Sequence, residues 1–135
     1  MRVADKTKAA APIAKILLLE DRMDFQSVLG EYLVSLSYEV TLANSGVEGV
    51  QQIMKRGFDV IICDMMMPKM GGEMFYWAAT RARPATRERF IFFTGHKNNP
   101  TLEYFFRRIN ARVLYKPFKL SGLEVVINEI LRQVG

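Results

Sequence analysis

Glu20 and Asp21, Asp64, Thr94 and Lys116 share one property: they are the first polar residues to follow a short apolar run. Neither a helix face nor a core position accounts for that list. If the apolar runs are strands that end side by side, three carboxylates enter one crevice, and their repulsion calls for proton sharing or a hard cation. The pattern offers oxygen donors only, so Mg2+ (or Mn2+) is the natural occupant. A cation held by one or two carboxylates keeps positions open for a phosphoryl oxygen. Lys116 adds a positive charge there and Thr94 a hydroxyl donor. A carboxylate so placed can act as the nucleophile of phosphoryl transfer and become an aspartyl phosphate.

The elements that must position these residues follow from local pattern. Residues 15–19 are an apolar run ended by charge, as in a strand buried on both faces. Asp24 is placed to cap a helix whose Phe25, Val28, Leu29, Tyr32, Leu33 and Leu36 recur at three and four residues. Residues 38–43 are β-branched and aromatic enough for a second strand, and Ser45 with Glu48 forms a capping box that opens a helix through Arg56. Residues 58–63 make the third buried strand, after which Pro68, Gly71 and Gly72 delay the next helix to residues 73–81. Pro84 interrupts, residues 90–93 make strand four, and Asn99 with Pro100 supplies an N-cap and first turn for a helix to about Arg108. Strand five spans residues 112–115. The last helix carries Leu123, Val126, Ile127, Ile130 and Leu131 on one face, and a second capping box at Ser121 and Glu124 sets its start after Leu120. Five strands alternating with five helices predict an α/β fold, a (βα)5 doubly wound five-stranded parallel sheet. Such sheets bind ligands at the carboxyl ends of their strands, where the chemical residues fall.

Composition sets the outer bounds. The chain has 135 residues, 50% of them hydrophobic and 24% charged, which suits one compact core and leaves no room for a second ordinary domain. No apolar run approaches the roughly 18 residues of a membrane span, so no membrane partner is expected. Residues 1–14 read as a disordered basic leader. The single cysteine, Cys63, excludes an internal disulfide and fits a buried strand residue in a cytoplasmic protein. The net charge of +5 gathers in Arg81, Arg83, Arg87 and Arg89 and again in Arg107, Arg108 and Arg112. No aromatic-basic interleaving accompanies them, so the expectation is solvated faces and an acidic protein partner, with no direct nucleic acid.

Four ordered motifs carry a family resemblance: the acidic pair Glu20-Asp21, the run from Asp64 through Pro68 to Gly71-Gly72, Phe93-Thr94-Gly95, and Tyr115-Lys116-Pro117-Phe118. Together they resemble a bacterial two-component response regulator receiver domain, over residues 15–135, either stand-alone or the receiver of a larger hybrid kinase. The resemblance implies that Asp64 takes a phosphoryl group from a histidine kinase or histidine phosphotransfer protein. It implies that Asp21, Asp64 and the backbone carbonyl of Met66 ligate Mg2+, with Glu20 acting through a water. It gives Thr94, Gly95 and Lys116 to the phosphoryl group, a cis peptide to Pro117, and a surface of fourth helix, fifth strand and fifth helix to an unknown downstream protein. The chain departs from the family at Val113, where an aromatic switch residue is usual. Tyr115 stands two residues on, displaced along the strand by roughly 7 Å. Met66 and His96 are expected to flank the phosphoryl group and gate water. An aspartate-nucleophile phosphatase would need a second carboxylate where Met66 stands. A non-phosphorylated adaptor with the same fold is the other alternative.

Overall fold

The structure is a computed structural model and describes residues 12–134. The element order is β1 (Lys15–Leu19), α1 (Met23–Ser35), β2 (Glu39–Ala43), α2 (Gly46–Lys55), β3 (Val60–Asp64), α3 (Gly72–Ala82), β4 (Phe90–Thr94), α4 (Pro100–Ile109), β5 (Arg112–Tyr115) and α5 (Leu120–Val134). A 3-10 turn over Pro84–Glu88 separates α3 from β4. All strand pairs are parallel, in the order β2-β1-β3-β4-β5, so the expected doubly wound sheet is present. Strand order reverses between β1 and β3, which opens a crevice at their carboxyl ends.

Alternation along each central strand divides the core in two. Ile16, Leu18, Val60, Ile62, Ile91 and Phe93 face α1 and α5, where Leu29, Leu33, Leu123, Ile127 and Ile130 close over them. Leu17, Leu19, Ile61, Cys63, Phe90 and Phe92 face the other way, toward Ile53 of α2, Phe75 and Tyr76 of α3, and Phe105 and Phe106 of α4. Aromatic rings dominate this second side: Tyr76 lies 4.9 Å from Phe90, and Phe92 lies 5.7 Å from Phe105. Gly49 lets α2 approach, since a Cβ there would stand 2.5 Å from Leu19 and 2.7 Å from Phe75.

Several boundaries differ from the expectation. The leader lies largely outside the described residues, but Ala14 is buried, and Ile13 donates its N–H to the Ser37 carbonyl. Asp24 is not the cap of α1. That position is Arg22, whose N–H goes to Glu20 Oε2 at 2.8 Å, while Asp24 sits in the first turn where the helix dipole favours an acid. Gly72 begins α3 rather than delaying it, and α5 begins at Leu120, before the second capping box. The first box does form: Ser45 accepts from the Glu48 N–H, and Glu48 reaches back to the Asn44 N–H, one residue earlier than the simplest box. Asn99 caps α4 by accepting from Leu102, with Pro100 in the first turn. No helix among the described residues is long and apolar enough to cross a membrane.

Candidate functional site

Register brings the chemical residues together. Leu19 pairs with Cys63, Asp64 with Phe93, and Thr94 with Tyr115, so the residues that end β1, β3, β4 and β5 form one row. Glu20, Asp21 and Asp64 each present a carboxylate oxygen, and the three lie within 4.8 Å of one another. Lys116 Nζ stands 3.7 Å from Asp64 Oδ2 and 4.0 Å from Glu20 Oε1. The Lys116 N–H is anchored to the Thr94 carbonyl at 2.8 Å, and the Lys116-Pro117 peptide is cis.

The electrostatics are those of a pocket short of positive charge. Glu20 is 0% exposed, and burial pushes its carboxyl up to about 7 despite the N–H of Arg22; the nearby Asp64 adds to the rise. Burial likewise raises Asp64, against the opposing pull of Lys116 and of the Met66 N–H. Glu20 Oε1 has no hydrogen-bond partner. A buried carboxylate oxygen without a hydrogen bond, beside two further carboxylates, fits a hard divalent cation, which takes oxygen donors and relieves their repulsion.

The surrounding loops are held by the backbone and by Gln26. Its amide donates to the Glu20 carbonyl at 2.9 Å and to Asn44 Oδ1 at 2.7 Å, joining the turns after β1 and β2. Asp64 Oδ1 accepts from the Met66 N–H at 3.3 Å. The Thr94 hydroxyl is buried and accepts from the His96 N–H at 3.1 Å. A Cβ on Gly95 would meet nothing within 4 Å, so the space beside Thr94 is open. Met66 and His96 are exposed on the loops after Asp64 and Thr94. Val113 packs half-buried against the aromatic side of the core, and Tyr115 lines a cavity of about 380 Å³ with Phe106 and Arg107.

Sequence reasoning missed the surroundings of Lys116. Its ammonium lies 4.9 Å from the Phe25 ring centroid and 5.1 Å from that of Phe93. Phe118 completes the box, 6.2 Å from Phe25 and 5.9 Å from Phe93. Phe25 read as a core-facing helix residue in sequence, and Phe93 and Phe118 stood in separate motifs that nothing local joined into one box.

Comparison with known proteins bears on the family and the fold. The model of the response regulator receiver domain matches residues 16–128. The response regulator receiver protein CpdR of Brucella abortus is 32% identical over 117 residues, covering 86% of this chain and 92% of that protein. The transcriptional regulatory protein RprY of Bacteroides fragilis is 34% identical over 123 residues, 89% of this chain, which spans 50% of RprY. Among solved structures, the receiver domain of sensor histidine kinase PA1611 from Pseudomonas aeruginosa superimposes with a TM-score of 0.80 at 26% identity, covering 89% of this chain and 98% of that one. That structure holds a magnesium ion in its active site cleft. Chemotaxis protein CheY4 of Vibrio cholerae gives 0.77 at 27% identity, over 87% of this chain and 98% of its own.

Proposed function

This chain belongs to the response regulator receiver domain family, a phosphoacceptor in two-component signal transduction, and we propose that Asp64 is the residue that accepts the phosphoryl group. The observation that carries this reading is the three-carboxylate cluster with Lys116 Nζ 3.7 Å from Asp64. A carboxylate oxygen of Asp64 attacks the phosphorus of a phosphohistidine in a kinase or phosphotransfer partner; the oxygen–phosphorus bond forms as the phosphorus–nitrogen bond breaks, and the imidazole leaves. Asp21, Asp64 and the Met66 carbonyl would hold Mg2+, with Glu20 beside them, and the ion supplies the charge that keeps the carboxylates ionised and neutralises the phosphoryl oxygens. Lys116 and the Thr94 hydroxyl take the remaining phosphoryl oxygens, and Gly95 leaves them room.

The domain is regulatory rather than an enzyme of turnover. Met66 offers no hydrogen bond to orient water, so the aspartyl phosphate hydrolyses slowly, with His96 the other flanking side chain. Output passes through α4, β5 and α5 to a partner protein, without a ring at Val113 to follow Thr94. The buried free thiol of Cys63 fits a cytoplasmic setting.

The test is incubation with a small acyl phosphate and Mg2+, followed by intact mass. Wild type gains one phosphoryl group and Asp64→Asn gains none. An adduct on both proteins, or on neither, removes Asp64 from this role and, in the second case, favours a non-phosphorylated adaptor.

A further inference from the structure

The two arginine groups set apart in the sequence separate by role once folded. Arg83 donates to the Ile53 carbonyl and Arg89 to that of Asp59, tying loops together. Arg87, Arg108 and Arg112 instead converge on a half-enclosed cavity of about 650 Å³ at the amino-terminal ends of β4 and β5, the opposite end of the sheet from Asp64. The aromatic side of the core supplies its wall: Phe90 and Phe92 of β4, with Tyr76 and Trp77 of α3.

The charge of this cavity is one-sided. Glu88 is the one carboxylate in its lining, and none of the three arginines forms an ion pair among the described residues. Arg112 is held in place by neutral acceptors, the Glu88 carbonyl at 3.1 Å and the Gln133 side chain. Arg108 sits over an aromatic surface, its guanidinium carbon 5.3 Å from the Trp77 ring centroid. The Arg87 side chain makes no hydrogen bond among the described residues and is near enough to the Tyr76 hydroxyl to oppose the rise that burial gives it. Guanidinium groups in fixed positions bind phosphate through paired N–H donors, and both they and tryptophan accept a flat ring on their faces.

We propose that this cavity binds a small phosphate-bearing molecule with a flat heterocycle, of the nucleotide class, with its ring at Trp77 and Arg108 and its phosphates at Arg87 and Arg112. The volume lies within the range of small-molecule sites, about 300–1,000 Å³, and the concave shape suits such a ligand better than the broad face of a protein partner. The site lies at the far end of the sheet from Asp64, and filling it requires no phosphoryl transfer there.

Trp77 is the single tryptophan and lines this cavity, so in the unphosphorylated protein its fluorescence reports on the ligand there. The experiment titrates ADP, adenosine and pyrophosphate into the protein in EDTA, where the carboxylate pocket holds no bridging ion and repels phosphate. ADP is expected to bind saturably and at least about tenfold more tightly than either fragment, and more weakly as salt rises. Arg87→Gln, which removes no hydrogen bond of the fold, and Arg112→Gln should each weaken ADP about tenfold or more, whereas Asp64→Asn leaves it unchanged. Calorimetry checks the fluorescence, and thermal melts check the variants; if Arg112→Gln unfolds, Arg87→Gln decides. Three results overturn the proposal: no saturable ADP binding, ADP binding that Arg87→Gln does not weaken, or a polyglutamate peptide that binds where ADP does not.

Discussion

Lys116 has neighbours of two kinds, carboxylates at its tip and aromatic rings around it. The carboxylates attract the ammonium from one side, but the rings of Phe25 and Phe93 fix where it waits when no phosphoryl group is present. A cation over a ring contributes about 0.5–2 kcal/mol, so Phe25→Leu should slow phosphorylation by acyl phosphate roughly 2- to 30-fold. Phe25→Tyr, which keeps the ring face, should restore the rate. The loss should also vanish in a Lys116→Ala background, as a double-mutant cycle would show if the ring acts through the lysine. Glu20 gives a second prediction, with its sign set by a carboxyl raised from 4.5 to about 7. The metal-free folded state then holds a proton that the unfolded state has lost. The stability tied to Glu20 is therefore fully present below 4.5 and is lost as pH rises to and through about 7. Mg2+ competes with that proton, so its apparent affinity should climb over the same interval and level off above it. Melts in EDTA and in Mg2+, from about pH 5 to about pH 8, should diverge with rising pH, and Glu20→Gln should flatten the EDTA series. Parallel curves would mean that Glu20 is not the group titrating.

Between residues and fold, the turn from β3 to α3 bears directly on Asp64. A Cβ on Gly72 would lie 2.6 Å from Met65 Sδ and 2.9 Å from Met65 Cα, and backbone cannot swing aside as a side-chain end can. Gly72→Ala should therefore destabilise by about 1–3 kcal/mol in urea melts. It should also weaken Mg2+ binding, because Met65 is the next residue after Asp64. Gly95→Ala is the control; its Cβ meets nothing, so its stability should stay within about 0.5 kcal/mol of wild type. This contrast also marks what sequence could reveal. Strands buried on both faces declare themselves as apolar runs, and the Asn99-Pro100 cap is local chemistry, so both were legible. The tightness at Gly72 was not, and the glycine pair there read as a delay to α3 because only the packed turn shows what a side chain would strike. The cap of α1 was misplaced for a related reason: Glu20, two residues before Arg22, takes the N–H that an Asp24 cap would have left free. The carboxylates, Thr94 and Lys116 were legible because each ends its strand or stands within two residues of that end. The phenylalanine box and the arginine cavity draw on distant segments, which no window along the chain unites.

Across the whole molecule, α4 is the element that reaches from one end to the other. Its first turn follows the loop after Thr94, and its last residues, Arg108 and Ile109, line the arginine cavity. Only Phe105 and Phe106 are buried along it, packed on Phe92 at 5.7 and 5.8 Å, so it is pinned at its middle with both ends carrying polar groups. A helix held this way can turn as a unit about its aromatic anchor when Thr94 is drawn toward new phosphoryl oxygens. No ring at Val113 is needed for that motion. Phosphorylation should then change NMR shifts from Ile91 to Tyr115, including residues of α4 that touch nothing in the pocket. It should also alter Trp77 fluorescence, because Arg108 rests on that ring. Asp64→Asn treated in the same way should show neither change. If ADP occupies the cavity, linkage requires that any effect of the modified state on ADP affinity be matched by an equal effect of ADP on the equilibrium toward that state. Shifts confined to the loops around Asp64 and Thr94, with Trp77 silent, would show that α4 stays fixed and that the readout of Asp64 lies elsewhere.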